Sequence, residues 1–124
     1  MKTVYRVEHI EYRHGPYVSY GMTKRSKELA EKMRSEVCKL RQPLIHDDGI
    51  EYRNDDQYCG FDSLDALFNW FEHWLDELEK HDYHIAVFDV EDSDIVEGVK
   101  QVLFRRKKYR RIAVMRMEEI QCEM

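Results

Sequence analysis

His84-Ile85-Ala86-Val87-Phe88-Asp89-Val90 is the stretch on which the fold turns. It is almost continuously apolar and β-branched, whereas a strand with one wet face would alternate, so it predicts a central strand covered on both sides. Just upstream, Leu64, Leu67, Phe68, Phe71, Trp74, Leu75 and Leu78 recur at helical spacing and predict an amphipathic helix over about residues 63 to 80. Asp62 or Ser63 precedes it and can accept from its open N–H groups. Downstream, residues 98 to 104 and 111 to 117 read as two further strands, joined as a hairpin by a very basic connection.

Residues 3 to 10 alternate β-branched or aromatic positions with polar ones, giving a first strand with Tyr5 and Val7 facing the core. His14-Gly15-Pro16-Tyr17 interrupts that pattern, because proline fixes its own φ and donates no hydrogen bond. Leu29, Met33, Val37 and Leu40 then mark another amphipathic helix between Thr23 and Leu40, ended by Pro43. An acidic, turn-rich loop follows over residues 45 to 56. The order β, α, α, β, β, β predicts an α+β fold: a mostly antiparallel sheet of four to six strands with two main amphipathic helices.

The 124 residues fit a single domain, 1–124, and are too few for two ordinary ones. With 43% hydrophobic and 12% aromatic residues, two prolines and five glycines, the composition is that of a folding chain. No apolar leader opens the sequence and no window approaches the ~18 apolar residues of a membrane span, so a cytoplasmic protein with no membrane partner is expected. Cys38, Cys59 and Cys122 are odd in number and widely spaced, which suits neither a disulfide framework nor a zinc site. The net charge of −5 argues against a protein that coats nucleic acid with its whole surface, so nucleic acid is not the expected partner, while local basic patches stay open.

Against that acidic background, Arg105-Arg106-Lys107-Lys108-Tyr109-Arg110-Arg111 holds six basic residues in seven. Such crowding repels itself and is relieved by anions, and arginine presents a phosphate with two parallel donors. Tyr109 can stack on a base. The other reading is a solvated hairpin tip whose charges deter edge-to-edge pairing, or one that meets the protein's own acidic loop. Tyr12, Tyr17, Tyr20, Tyr52 and Tyr58 fall in the loop-like parts, where tyrosine either seals the ends of a core or stacks on a partner.

Other constellations are weaker. His46-Asp47-Asp48 carries metal-ligand chemistry, but adjacent side chains rarely converge on one ion, and no EF-hand or HExxH spacing is present. His9 and His14, with Glu8, Glu11 and Arg13, form an acid–base set only if the chain folds them together. His73 reads as a helix residue, and Cys38 and Cys59 as small hydrophobes. GxSxG, the P-loop and GxGxxG are all missing, so those hydrolase, NTPase and dinucleotide readings lack their motifs.

Val4-Tyr5-Arg6-Val7-Glu8-His9, Gly15-Pro16-Tyr17, Pro43, Asp48-Gly49, Cys59-Gly60-Phe61-Asp62-Ser63-Leu64 with Trp70-Phe71, and Gly98-Val99-Lys100-Gln101-Val102-Leu103-Phe104 resemble, in order and spacing, a group of small phage and prophage proteins. In size and α+β make-up the chain is also similar to the first Thoeris anti-defence family, nucleotide sponges that sequester cyclic ADP-ribose signals, some also holding cyclic oligonucleotides. That resemblance implies arginines on phosphates and an aromatic ring on adenine, roles open here to Arg105, Arg106 and Arg110 with Tyr109, Phe104 or Tyr17. It implies a cytoplasmic protein of the bacterial host, a small-molecule nucleotide signal as partner, no cofactor, no catalysis, and a homo-oligomer.

Two alternatives stand beside it. Tyr5-Arg6 and Gln101-Val102-Leu103-Phe104 faintly resemble strand motifs of ADP-ribosyltransferases, but Gln101 stands where those enzymes usually place Glu, and an amide lacks the charge a developing oxocarbenium ion requires. The other alternative is an inhibitor that binds a host defence factor, with acidic segments such as Glu91-Asp92-Ser93-Asp94 at its surface.

Overall fold

The computed structural model describes residues 1–11, 13, 15, 28, 31 and 57–117. Of the helix expected between Thr23 and Leu40 only Glu28 and Glu31 are described, both helical and exposed. The loop 45–56 lies outside the described residues, with Tyr12, His14, Tyr17, Tyr20, Cys38, His46, Tyr52 and Cys122.

Over residues 1–11 and 57–117 the elements follow in order: β1 (Lys2–His9), β2 (Tyr58–Gly60), α1 (Leu64–Phe71), α2 (Leu75–Lys80), β3 (Tyr83–Val90), β4 (Ile95–Glu97), β5 (Val102–Phe104) and β6 (Ala113–Met115). Among the described residues all pairings are antiparallel, in two three-stranded sheets ordered β1-β3-β6 and β2-β5-β4. The α+β class therefore holds, with the strands divided between two sheets. β3 is the central strand of the first, and seven of its eight residues are buried. β1 lies along its whole length, from Lys2↔Val90 to His9↔Tyr83.

Side chains alternate across a strand, so each face of the first sheet has its own core. On one face Val7, Tyr83 and Ile85 meet Leu67, Phe71, Leu75 and Leu78 from the helices, with Phe61, Trp70 and Met117. On the other, Val4, Ala86, Phe88 and Val90 meet Val102 and Phe104 of the second sheet. The two sheets are stitched where Tyr5 and Phe61 exchange backbone hydrogen bonds of 2.7 and 2.8 Å. Gly60 sits at this seam: a Cβ there would lie 2.8 Å from a Val4 methyl and 3.0 Å from the Phe104 ring.

Ser63 caps α1, its hydroxyl accepting from Ala66 N at 3.1 Å. The single helix expected over 63 to 80 is broken at residues 72–74. Trp74 N–H donates to Phe71 O at 2.7 Å, an i→i−3 bond that tightens the chain for one turn. The apolar stripe resumes with Leu75 and Leu78 buried, while His73 points outward.

The expected hairpin between residues 98 and 117 is corrected. β5 pairs with β2 and β4, whereas β6 pairs with β3. The hairpin is β4–β5, closed by Gly98 N donating to Gln101 O at 2.8 Å. The basic run instead carries the chain from one sheet to the other, through a 3₁₀ turn at Arg106–Lys108.

Candidate functional site: a cationic cleft

The period of two along β1 puts Val4, Arg6 and Glu8 on the face that meets the second sheet. The register sets small Ala86 opposite Arg6 and His84 opposite Glu8. Glu8 is fully buried, and a buried carboxylate is tolerated only when its oxygens are occupied. Arg6 Nε donates to its Oε2 at 3.0 Å. Arg106, from the basic crossing, adds Nε to Oε2 at 2.5 Å and Nη2 to Oε1 at 3.1 Å. Arg111 Nε stands 4.0 Å from Oε1.

These guanidiniums are further tied down. Arg6 Nη1 donates to Cys59 O at 2.9 Å, and its guanidinium lies 5.2 Å from the Tyr58 ring centroid. Arg106 Nη1 donates to Tyr109 O at 3.2 Å, and its guanidinium lies 4.4 Å from the centroid of Phe88. Arg111 Nη1 lies 2.8 Å from His84 Nε2. Arginine has no acceptor, so that imidazole nitrogen accepts and the ring proton sits on Nδ1. Burial, then the charge of Arg111, hold His84 below its ordinary value of 6.5. One carboxylate thus faces three guanidiniums.

Above this layer opens a cleft of about 740 Å³ lined by Arg13, Tyr58, Arg106, Lys107, Tyr109, Arg110 and Arg111. Among the described residues its lining has five cations, two phenols and no carboxylate. Arg13 arrives from the turn after β1 with φ 63, held by its N–H donating to His9 O at 2.9 Å. Gly15 packs on Arg6, where a Cβ would lie 3.2 Å from Nη2.

A second carboxylate anchors the crossing from the far side. Asp94 accepts from Lys108 Nζ at 2.8 Å and from the Tyr109 hydroxyl, and Arg105 Nε lies 3.7 Å from it. The Tyr109 hydroxyl also accepts from Glu91 N at 3.2 Å. The hydrogen bonds from Lys108 and Tyr109 hold Asp94 below the usual carboxylate range.

The structure therefore separates the expected site residues. Arg106, Tyr109 and Arg110 line the cleft. Arg105 turns to Asp94 and does not line it. Phe104 is corrected: its ring is fully buried, 5.3 Å from that of Phe88, and offers a ligand no face. Tyr17 lies outside the described residues. Of the acid–base set of His9 and His14 with Glu8, Glu11 and Arg13, His14 lies outside the described residues, and Glu8 and His9 point to opposite faces of β1, His9 packing edge-on against Tyr83. The sequence singled out Glu8 only as a member of that acid–base set and gave no sign of its role as partner to Arg6, Arg106 and Arg111. The available signal was the double-sided burial expected of residues 84–90, which obliges a neighbouring strand to bury its polar face as well.

Among the described residues no group of three or more His, Cys, Asp or Glu is placed to hold a metal ion, and no helix is long and apolar enough to cross a membrane. Comparison with curated proteins and with solved structures gave no match. A family model described as Bacteriophage T4 Y00F protein spans residues 1–118, from the first strand through the cationic crossing and beyond, and the chain therefore belongs to this bacteriophage protein family.

Proposed function

We propose that the protein binds a phosphorylated nucleotide in the cationic cleft and retains it without cleaving it, as a phage sponge for a nucleotide immune signal of the cyclic ADP-ribose or cyclic oligonucleotide type. The observation that carries this reading is the lining of five cations and two tyrosines around about 740 Å³, a volume suited to a small molecule. Crowded like charges repel until an anion enters, and guanidiniums bind phosphate with paired, charge-assisted hydrogen bonds. Tyr58 and Tyr109 add flat faces for a base.

Retention rather than turnover is supported by the same lining. Arginine, lysine and tyrosine are protonated at neutral pH and serve as donors, and none is a ready base. Burial and the hydrogen bond to Asp94 push the Tyr109 phenol further up. Membership of a bacteriophage protein family supports the phage setting of this reading, and the sponge form follows the resemblance in chemistry to the first Thoeris anti-defence family.

The test is a thermal-shift and native-mass screen of the purified protein against cyclic ADP-ribose isomers, cyclic di- and trinucleotides, NAD and short oligonucleotides. A bound ligand raises stability by mass action. A shift with one nucleotide, recovered chemically intact after denaturation, supports the reading. Release of nicotinamide from NAD overturns the non-catalytic part, and no shift with any of them overturns the whole. One observation favours a second reading, contact inhibition of a host protein: Ile112 and Val114, beside the cleft segment, are 58% and 52% exposed. Exposed apolar side chains on and just before an edge strand of the described sheet suit a protein partner. A stable complex with a host protein, with no nucleotide bound, would select it.

A further inference from the structure

We infer that Glu8 is a positioning residue of the cleft: its buried carboxylate holds Arg6 and Arg106 and draws Arg111 to 4.0 Å, so the cationic wall is assembled before any phosphate arrives. This inference rests on the nucleotide-binding reading and deepens it. Three observations carry it. Glu8 is fully buried, so its charge is not a solubilising one. Both its oxygens accept from Arg106 in a fork, the geometry that fixes a guanidinium in plane as well as in place. Arg6 and Arg106 approach it from segments 100 residues apart, and without the carboxylate their like charges would drive those segments apart.

The alternative role is a passive one, in which Glu8 merely offsets charge. The two roles make opposite predictions. A passive carboxylate beside an anion site weakens it by Coulomb repulsion, so Glu8→Gln would then tighten binding and charge-preserving Glu8→Asp would leave it unchanged. A positioning carboxylate must reach two oxygens to the guanidiniums. Gln offers one oxygen and a donor that faces donors, and Asp is shorter by a methylene, so both variants lose affinity.

The experiment is titration calorimetry of the full-length protein with inorganic pyrophosphate at fixed ionic strength. Wild type binds, and both variants bind about tenfold more weakly or worse, consistent with truncation of a buried charge pair. Tighter binding by Glu8→Gln or unchanged binding by Glu8→Asp overturns the positioning role while leaving the nucleotide reading intact. Failure of wild type to bind pyrophosphate overturns that reading and takes this inference with it. A measurement on wild type guards against variants that fail to fold. In the ligand-free protein the Arg6 and Arg106 Nε–H resonances are protected from solvent exchange, and rapid exchange overturns preassembly.

Discussion

Replacing Arg106 by alanine, with Arg110 to alanine as its counterpart, separates two arginines that stand four residues apart in one basic run. The Arg106 side chain is 13% exposed, makes two hydrogen bonds to Glu8 and one to Tyr109 O, and covers the Phe88 ring. Its removal leaves Glu8 buried with Arg6 at 3.0 Å and Arg111 at 4.0 Å. Breaking a buried pair by removing one partner costs ~3–5 kcal/mol, and the surviving Arg6 contact places the loss near the low end, about 3 kcal/mol. For a domain of this size that lowers Tm by roughly 10 °C. Arg110 is exposed and lines the cleft, and among the described residues no side chain partners it. Its loss should change stability by less than about 0.5 kcal/mol while weakening pyrophosphate binding. Urea unfolding at pH 7.5, extrapolated linearly, reads both variants. If Arg106→Ala unfolds within about 0.5 kcal/mol of wild type, the Glu8 cluster does not hold the two sheets together and the division between the arginines fails.

Three further outcomes are expected. Gly60→Ala forces a methyl against Val4 and Phe104 and should cost about 1–3 kcal/mol by overpacking, read by the same urea titration; an unchanged midpoint would mean the seam is slack. His84 carries less affinity for a proton folded than unfolded, so the unfolded chain binds the extra proton, and this contribution is full above about pH 6.5 and lost as pH falls below it. The stability difference between pH 7.5 and 5.5 should therefore shrink in His84→Gln, and an equal difference would assign the slope to other groups. Asp94→Asn removes the charge that Lys108 and Arg105 share, so it should loosen the crossing and weaken pyrophosphate binding; because Asp94 is held below its ordinary 3.8, its own stabilisation is present above that pH and lost beneath it. Acid titration of wild type and variant checks the second part, and equal acid midpoints would refute it.

The parts of the fold read correctly from sequence are those where one strong period or one long apolar run decides the matter. The alternation at residues 3 to 10 and the run at 84–90 became β1 and β3, and the stripe from Leu64 to Leu78 became the helix layer. Pairing is different, because the residues of a strand record that it is buried and not against which neighbour. Residues 102–104 and 113–115 look like hairpin partners and go to different sheets. The candidate site was half legible for the same reason. Six basic residues in seven announce a cationic patch, but Arg105, Arg106 and Arg110 are alike in sequence. Only the fold gives one to Asp94, one to Glu8 and one to the open cleft. Tyr58 was one of five loop-like tyrosines, and its place on β2 beside the crossing sets it apart.

The long register between β1 and β3 has a consequence for how the chain is made. His9 pairs with Tyr83, so 74 residues must be synthesised after β1 before its neighbour exists. At translation rates of about 5–20 residues per second that is a wait of roughly 4–15 s. Over that interval β1 waits for the strand that pairs with its whole length, and Glu8 has yet to meet Arg106. Closing so large a loop makes the first sheet a slow, late event. The cationic cleft, whose lining runs from Arg13 to Arg111, has all its residues only once that last arginine has been added.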